Sequence, residues 1–255
     1  MTNFLSDVAK IMGIDEDIVW ILPKVKYPNN MLGGTSKLFY ESLRCLNLAD
    51  GKTVLDIPCG VGGVSVYLAK EYGAAVYGYD VMEGFIDNAK KYAYENNVGC
   101  LCHFAVEDIR NVVNKGKEYD ALIWKSPPHL WENYEQAILH LRKCVKDKGF
   151  IFIDDAFLYD EHKDTYLDYD TREGMLKGVT AHGDTIAYYK EEDGEEDIYS
   201  DNTEFEREAV VNAMNESNNP AEIEAFKKYL KCIDYWEETD KEIFGGCYMI
   251  LQINK

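Results

Sequence analysis

The chain has 255 residues, 46% of them hydrophobic, enough to fill the core of one α/β domain with additions. Forty-six acidic residues against 27 basic ones leave a formal net charge of −19, a surface that repels phosphate backbones and anionic membranes and argues against nucleic acid as a partner. No stretch approaches the ~20 apolar residues of a membrane helix, and no basic start with an apolar run opens the chain. Seven scattered cysteines, an odd number, read as reduced thiols, so the expected location is cytoplasmic, with no membrane partner.

The first fifty residues read as helices ahead of any strand. Phe4, Leu5, Val8 and Ile11 lie at helical spacing before Gly13. Asp15 starts a second short helix carrying Ile18, Val19 and Trp20 and ending near Pro23. Tyr27-Pro28-Asn29-Asn30 and Gly33-Gly34 make an irregular loop. Thr35 or Ser36 then caps a third helix whose inward stripe is Phe39, Leu43 and Leu46.

From Lys52 strands and helices alternate. The first strand, 53–57, enters Val54-Leu55-Asp56-Ile57-Pro58-Cys59-Gly60-Val61-Gly62-Gly63-Val64-Ser65, an apolar run that ends in a carboxylate and a glycine-rich turn opening a helix. Such a turn offers backbone N–H groups and a side-chain-free floor to a ligand. A dinucleotide turn wants a third glycine where Ser65 stands, and Asp56 would repel a pyrophosphate but suits an amino group or a sulfonium. The second strand, 75–79, ends in Asp80, 20 residues after Gly60, the distance at which a carboxylate meets a ribose diol; Asp80 could equally cap the helix 83–96. The third strand, 101–105, leads to Glu107-Asp108-Ile109. Cys100 and Cys102 would share a strand face, but no second cluster completes a metal site, and none is expected.

The fourth strand, 119–124, runs into Lys125-Ser126-Pro127-Pro128-His129-Leu130-Trp131. A histidine at the carboxyl end of a central strand, with an ordinary pKa near ~6.5, suits proton removal from an attacking nucleophile; it could also be a polar loop residue capping the helix 132–146. The fifth strand, 150–153, ends in Asp154-Asp155, placed to orient a cationic substrate or to cap a turn. A helix over 171–181, a sixth strand over 184–189, an acidic loop over 191–197, helices over 203–215 and 221–236 and a last strand over 246–253 complete the order.

The 54–65 stretch resembles the first motif of class I S-adenosylmethionine-dependent methyltransferases, with Pro58 where that family more often has glycine. The resemblance implies one domain over 1–255: a Rossmann-like, doubly wound α/β fold with a mainly parallel seven-stranded sheet and an antiparallel last strand. Residues 1–50 would form a helical lid, 51–155 the cofactor half, and 156–255 a second half with a helical insertion at about 200–240. It implies S-adenosyl-L-methionine as cofactor. Asp56, Pro58, Gly60 and Gly62 would hold its amino-acid end, Asp80 the ribose, Val81 and Met82 the flanks of the adenine, and Asp108 with the N–H of Ile109 the adenine edge. His129 becomes the candidate catalytic residue, and Tyr27, Tyr40 and Trp131 candidate substrate contacts. Ser126-Pro127-Pro128 matches three of four places of an amino-methylating nucleic-acid motif, whereas His129-Leu130 fits the small-molecule branch; the charge favours a small acceptor. A protein or nucleic-acid methyltransferase, a non-catalytic cofactor-binding module and a nicotinamide oxidoreductase are the competing readings.

Overall fold

The computed structural model describes residues 4–32, 36–125, 130–165, 169–192 and 198–255. Its helices are α1 (Phe4–Ile11), α2 (Lys37–Arg44), α3 (Gly63–Tyr72), α4 (Glu83–Glu95), α5 (Ile109–Val112), α6 (Tyr134–Leu141), α7 (Arg172–Thr180), α8 (Ile198–Glu216) and α9 (Pro220–Ile243). Its strands are β1 (Thr53–Asp56), β2 (Ala75–Asp80), β3 (Cys102–Val106), β4 (Tyr119–Lys125), β5 (Val145–Leu158), β6 (Thr185–Glu191) and β7 (Phe244–Gln252). The strands form one sheet in the order β3-β2-β1-β4-β5-β7-β6. Neighbours from β3 to β5 run parallel, and β7 lies antiparallel between β5 and β6, the topology expected from the sequence.

Both faces of the central strands are covered, which explains their runs of apolar residues without polar alternation. Leu55, Leu122, Ile151 and Met249 pack under Ile138 and Leu141 of α6 and Met175 and Val179 of α7. Val54, Val76, Ala121, Ile123 and Phe152 face Val66 and Leu68 of α3 and Phe39 and Leu43 of α2. A third cluster joins α1, a 3-10 helix (Glu16–Lys24), α8 and α9, and it includes Val61 of the glycine turn and Met82 at the end of β2. The helices at the start of the chain and the late insertion therefore pack on each other and on the turn. No helix among the described residues is long and apolar enough to cross a membrane.

Several boundaries differ from the sequence reading. The segment from Asp15 is a 3-10 helix that runs through Pro23. The helix expected over 132–146 ends at Leu141, followed by a 3-10 turn (Arg142–Cys144), and β5 starts already at Val145. At its other end β5 continues to Leu158, because Asp155–Leu158 keeps its ladder with Cys247–Phe244 of β7. Cys100 lies in the turn before β3 and is exposed while Cys102 is buried, so the two do not share a strand face. Of the acidic stretch, Glu191 ends β6 and 193–197 lie outside the described residues.

Candidate functional site

Strand order reverses between β1 and β4, and the crevice outside the carboxyl ends of such strands is where open α/β sheets take ligands. The turn after β1 fills this point. A cis Ile57–Pro58 peptide leads into it, Cys59 N donates to Tyr79 O (2.9 Å), and Gly62 N donates to Cys59 O (2.9 Å). Its glycines do different jobs. Gly60, at φ +50°, has only Leu32 near the place of a Cβ, at 3.9 Å. Gly62, at φ +85°, caps α3, and a Cβ there would stand 2.7 Å from that of Ala89 in α4. At Gly63 the same place is taken by Asn30 O and Met31 Sδ, so the chain ahead of α2 lies directly on the start of α3.

Two buried carboxylates flank the turn. Asp56, 2% exposed, accepts from Ser65 Oγ at 2.5 Å. Asp80, 6% exposed, accepts from Gly60 N (3.0 Å) through Oδ2 and from Met82 N (2.9 Å) through Oδ1. Burial raises Asp56 to about 7, offset in part by the Ser65 hydrogen bond and reinforced by the charge of Asp80. Burial also raises Asp80 to about 6 against the backbone N–H bonds that favour its charge. Ser65 thus has a role that sequence reasoning missed, tying the end of β1 to the first turn of α3. A hydroxyl nine residues after a strand-end carboxylate, on the inward face of the next helix, is the signal that could have revealed it.

These groups set the pH dependence of the unliganded protein. Asp56, Asp80 and Asp155 (also raised to about 7, mainly by burial) hold protons in the folded state above the ordinary carboxylate range of about 3.9. Between pH ~4 and ~7 the folded state binds more protons than the unfolded one, so stability falls as pH rises through that window. Burial also raises Glu192 and Glu206, which add to the trend; Asp108 is shifted downward and acts only below the window, and His140, lowered mainly by burial, opposes the trend. The melting temperature should therefore drop by several degrees from pH 5 to pH 8 at constant ionic strength. A scanning-fluorimetry profile that climbs over this range would contradict it.

At the next strand end, Val81 is half-buried and Met82 buried. Asp108 caps α5 and holds Arg110: Oδ1 accepts from Arg110 N (2.8 Å) and Nε (2.9 Å), and Oδ2 from Arg110 Nη2 (2.6 Å), which also reaches Asp7 of α1 (3.0 Å). The Arg110 hydrogen bonds hold its carboxyl below the usual range. Glu107 is tied to Lys115 (2.8 Å) and Asn111 (3.0 Å), and the Ile109 side chain is core.

Beyond the turn, the ends of β4 to β7 carry a polar cluster that sequence reasoning saw only at Asp154. Lys125 Nζ lies 3.3 Å from Asp154 Oδ2 and 5.7 Å from the Phe39 ring centroid. Tyr248 Oη donates to Glu192 (2.6 Å) and lies 3.1 Å from Ser36 Oγ, the cap of α2. Asp155 points to the opposite face, where Tyr134 donates to it. The expected substrate contacts do not converge. Tyr27 is buried beside α8 and α9, and Tyr40 meets Tyr67 (centroids 4.8 Å apart) in a cleft of about 610 Å³ along α2, α3 and Tyr92. Trp131 stacks on His140 (5.4 Å) near α6. His129 and Ser126-Pro127-Pro128 lie outside the described residues. Among the described residues no group of three His, Cys, Asp or Glu could hold a metal ion.

Comparison with known proteins agrees with this layout. A family model described as a methyltransferase domain matches residues 54–149, from β1 to the start of β5. Phosphoethanolamine N-methyltransferase 1 of Zea mays is 41% identical over 123 residues, covering 48% of this chain and 23% of the maize protein. An uncharacterized RNA methyltransferase of Clostridium acetobutylicum is 33% identical over 95 residues, 37% of this chain and 20% of its own length. The chain thus matches about a quarter or less of the length of these curated relatives. Among solved structures, an S-adenosylmethionine-dependent methyltransferase from Thiobacillus denitrificans in complex with S-adenosyl-L-homocysteine superposes with a TM-score of 0.74 at 16% identity. That match spans 92% of this chain and 97% of the other, a likeness of fold.

Proposed function

We propose, for a chain whose residues 54–149 are a methyltransferase domain of the class I S-adenosylmethionine-dependent family, that it transfers a methyl group from that cofactor to a small-molecule acceptor. The observation that carries this is Asp80. Each of its oxygens accepts one backbone N–H and keeps a further lone pair, the acceptor pair that a ribose diol needs. Gly60 leaves open the place where a side chain would meet the ligand. In this reading Pro58 and Gly62 shape the turn, while Val81, Met82 and the N–H of Ile109 border the adenine. Asp108 serves the adenine edge through Arg110, whose guanidinium it positions. Asp56 stands behind the turn, its charge complementary to a cationic ligand.

The cofactor supplies a methyl group already activated on a sulfonium sulfur. What the chain must do is align the nucleophile, keep water out and take a proton where one is released. Helices α1, α8 and α9 with the segment Glu16–Lys24 cover the turn as one packed layer, which supports reading residues 1–50 as a lid on a single domain. His129, four residues along the chain from β4, is the proposed proton acceptor, and Tyr27, Tyr40 and Trp131 are the proposed substrate contacts. The acidic surface supports a small acceptor, and the seven scattered cysteines a cytoplasmic setting.

Calorimetry should detect S-adenosylmethionine or its demethylated product binding in the micromolar range, and radiolabelled methyl should appear in a fraction of a metabolite pool. Label in oligonucleotides or protein instead would replace the small-molecule reading, and binding with no transfer to any pool would make the chain a non-catalytic module.

A further inference from the structure

A cleft of about 610 Å³ runs between α2 and α3 and is bordered by Tyr92 of α4. Its lining follows helical spacing. Lys37, Tyr40 and Arg44 form the flank of α2 that the core residues Phe39 and Leu43 leave free, and Gly63, Val66, Tyr67 and Lys70 form one stripe of α3. The size is that of a small-molecule site. One end reaches the segment that lies on the cofactor turn: Met31 lines it, and the neighbouring Asn30 donates through Nδ2 to Val61 O at 2.8 Å. The other end, at Arg44 and Lys70, lies a helix length away.

The charge here runs against that of the molecule. On a chain of net charge −19, three cations, Lys37, Arg44 and Lys70, line the cleft against one carboxylate, Glu71. Lys37 is matched by Glu41 at 3.6 Å. Lys70 donates to the neutral amide oxygen of Asn96 at 3.0 Å. Among the described residues Arg44 pairs with no carboxylate. Helix dipoles account for a cation in the last turn of each helix, but not for the walls between them. Tyr40 and Tyr67, with ring centroids 4.8 Å apart, and Tyr92 are all half-buried along the cleft. A guanidinium can grip a phosphate or carboxylate with two parallel N–H groups, and tyrosine rings take an aromatic body against their faces and edges.

We propose that this cleft is a ligand site separate from the cofactor turn and that it takes a small aromatic anion. The ring of the ligand lies among Tyr40, Tyr67 and Tyr92, and its phosphate or carboxylate meets Arg44 and Lys70. A cation would face the unpaired guanidinium, and a long polyanion would meet the acidic surface beyond the cleft. Charge and volume together therefore select a compact anion. The proposal goes beyond the methyltransferase reading and does not rest on it.

The test titrates 1-naphthyl phosphate, 1-naphthoate, neutral 1-naphthol and inorganic phosphate into the full chain at matched ionic strength, with and without saturating S-adenosylhomocysteine. At least one of the two aryl anions should bind about tenfold more tightly than both naphthol and inorganic phosphate. The tighter of the two identifies the anion as phosphate or carboxylate, and S-adenosylhomocysteine should not displace it. Arg44→Gln and Lys70→Gln, each checked for an unchanged melting profile, should each weaken that anion by about fivefold and leave naphthol unaffected. Tyr67→Leu should weaken the aryl anion and naphthol alike; if that variant fails to fold, Tyr92→Leu decides. Naphthol or inorganic phosphate binding as tightly as the aryl anions, no binding of either anion, displacement by S-adenosylhomocysteine, or indifferent glutamine or leucine variants would overturn the site. A chain that binds the aryl anion but no S-adenosylhomocysteine would instead overturn the cofactor reading and leave the cleft assignment standing.

Discussion

Asp80→Ala should weaken S-adenosylhomocysteine binding by about a hundredfold, while Asp80→Asn, which keeps the shape and one acceptor oxygen, should retain part of the affinity. Two hydrogen bonds to a charged group are worth together about 3 kcal/mol, and each 1.4 kcal/mol is tenfold in affinity. The alanine variant does further damage, because it strips the partners from Gly60 N and Met82 N and so loosens the turn and the start of α4. Isothermal titration, read beside the melting temperature of each variant, separates lost contacts from a lost turn. An alanine variant that binds as the parent does would remove Asp80 from the cofactor site.

Gly62→Ala is expected to destabilise the fold by about 3 kcal/mol without a ligand being involved. At φ +85° an L-residue costs ~1–2 kcal/mol, and the new methyl would press against Ala89, an overpacking worth ~1–3 kcal/mol. For a chain of this size the loss corresponds to a melting temperature lower by roughly 6–12 °C. Gly60→Ala is the contrast. Its φ of +50° carries the same kind of backbone cost, yet the nearest atom is 3.9 Å away, so without the overpacking it should lower the melting temperature by only about 2–8 °C while its methyl enters the ligand's space and weakens S-adenosylhomocysteine. Equal destabilisation by the two variants would show that the turn's glycines do not divide packing from binding in this way.

The proposed sulfonium cofactor and the pH profile bear on each other through charge. A cation placed among buried carboxylates favours their ionised forms, so ligand binding should release protons at pH values where Asp56 and Asp80 are still partly protonated in the free protein. The same burial that raises these groups makes a cationic partner valuable at the site.

Much of the layout was legible because its signals are local. A strand-end carboxylate, a turn with glycines at Gly60, Gly62 and Gly63, and an acid at the next strand end sit within 25 residues, and each follows from backbone geometry that nearest neighbours impose. The same locality explains the caps at Ser36 and Thr171. Boundaries failed where tertiary pairing overrode local preference: β5 is 14 residues long because β7 extends its ladder, and no pattern inside 145–158 announces that. Tyr40 stands apart from Tyr27 and Trp131, in a cleft along α2 and the start of α3, and the packing of α2 on the sheet that puts it there is not written in its local sequence.

By itself, then, the sequence determined the sheet class, the turn and the strand-end carboxylates Asp56 and Asp80, all set by short-range sterics and the alternation of strands with helices. Only the tertiary structure decided the polar cluster at the ends of β4 to β7. Ser36 meets Tyr248 across 212 residues, and Lys125 meets Asp154. Contacts of that span depend on how the layers pack, through burial and charge summed over the whole molecule, and no spacing along the chain encodes them.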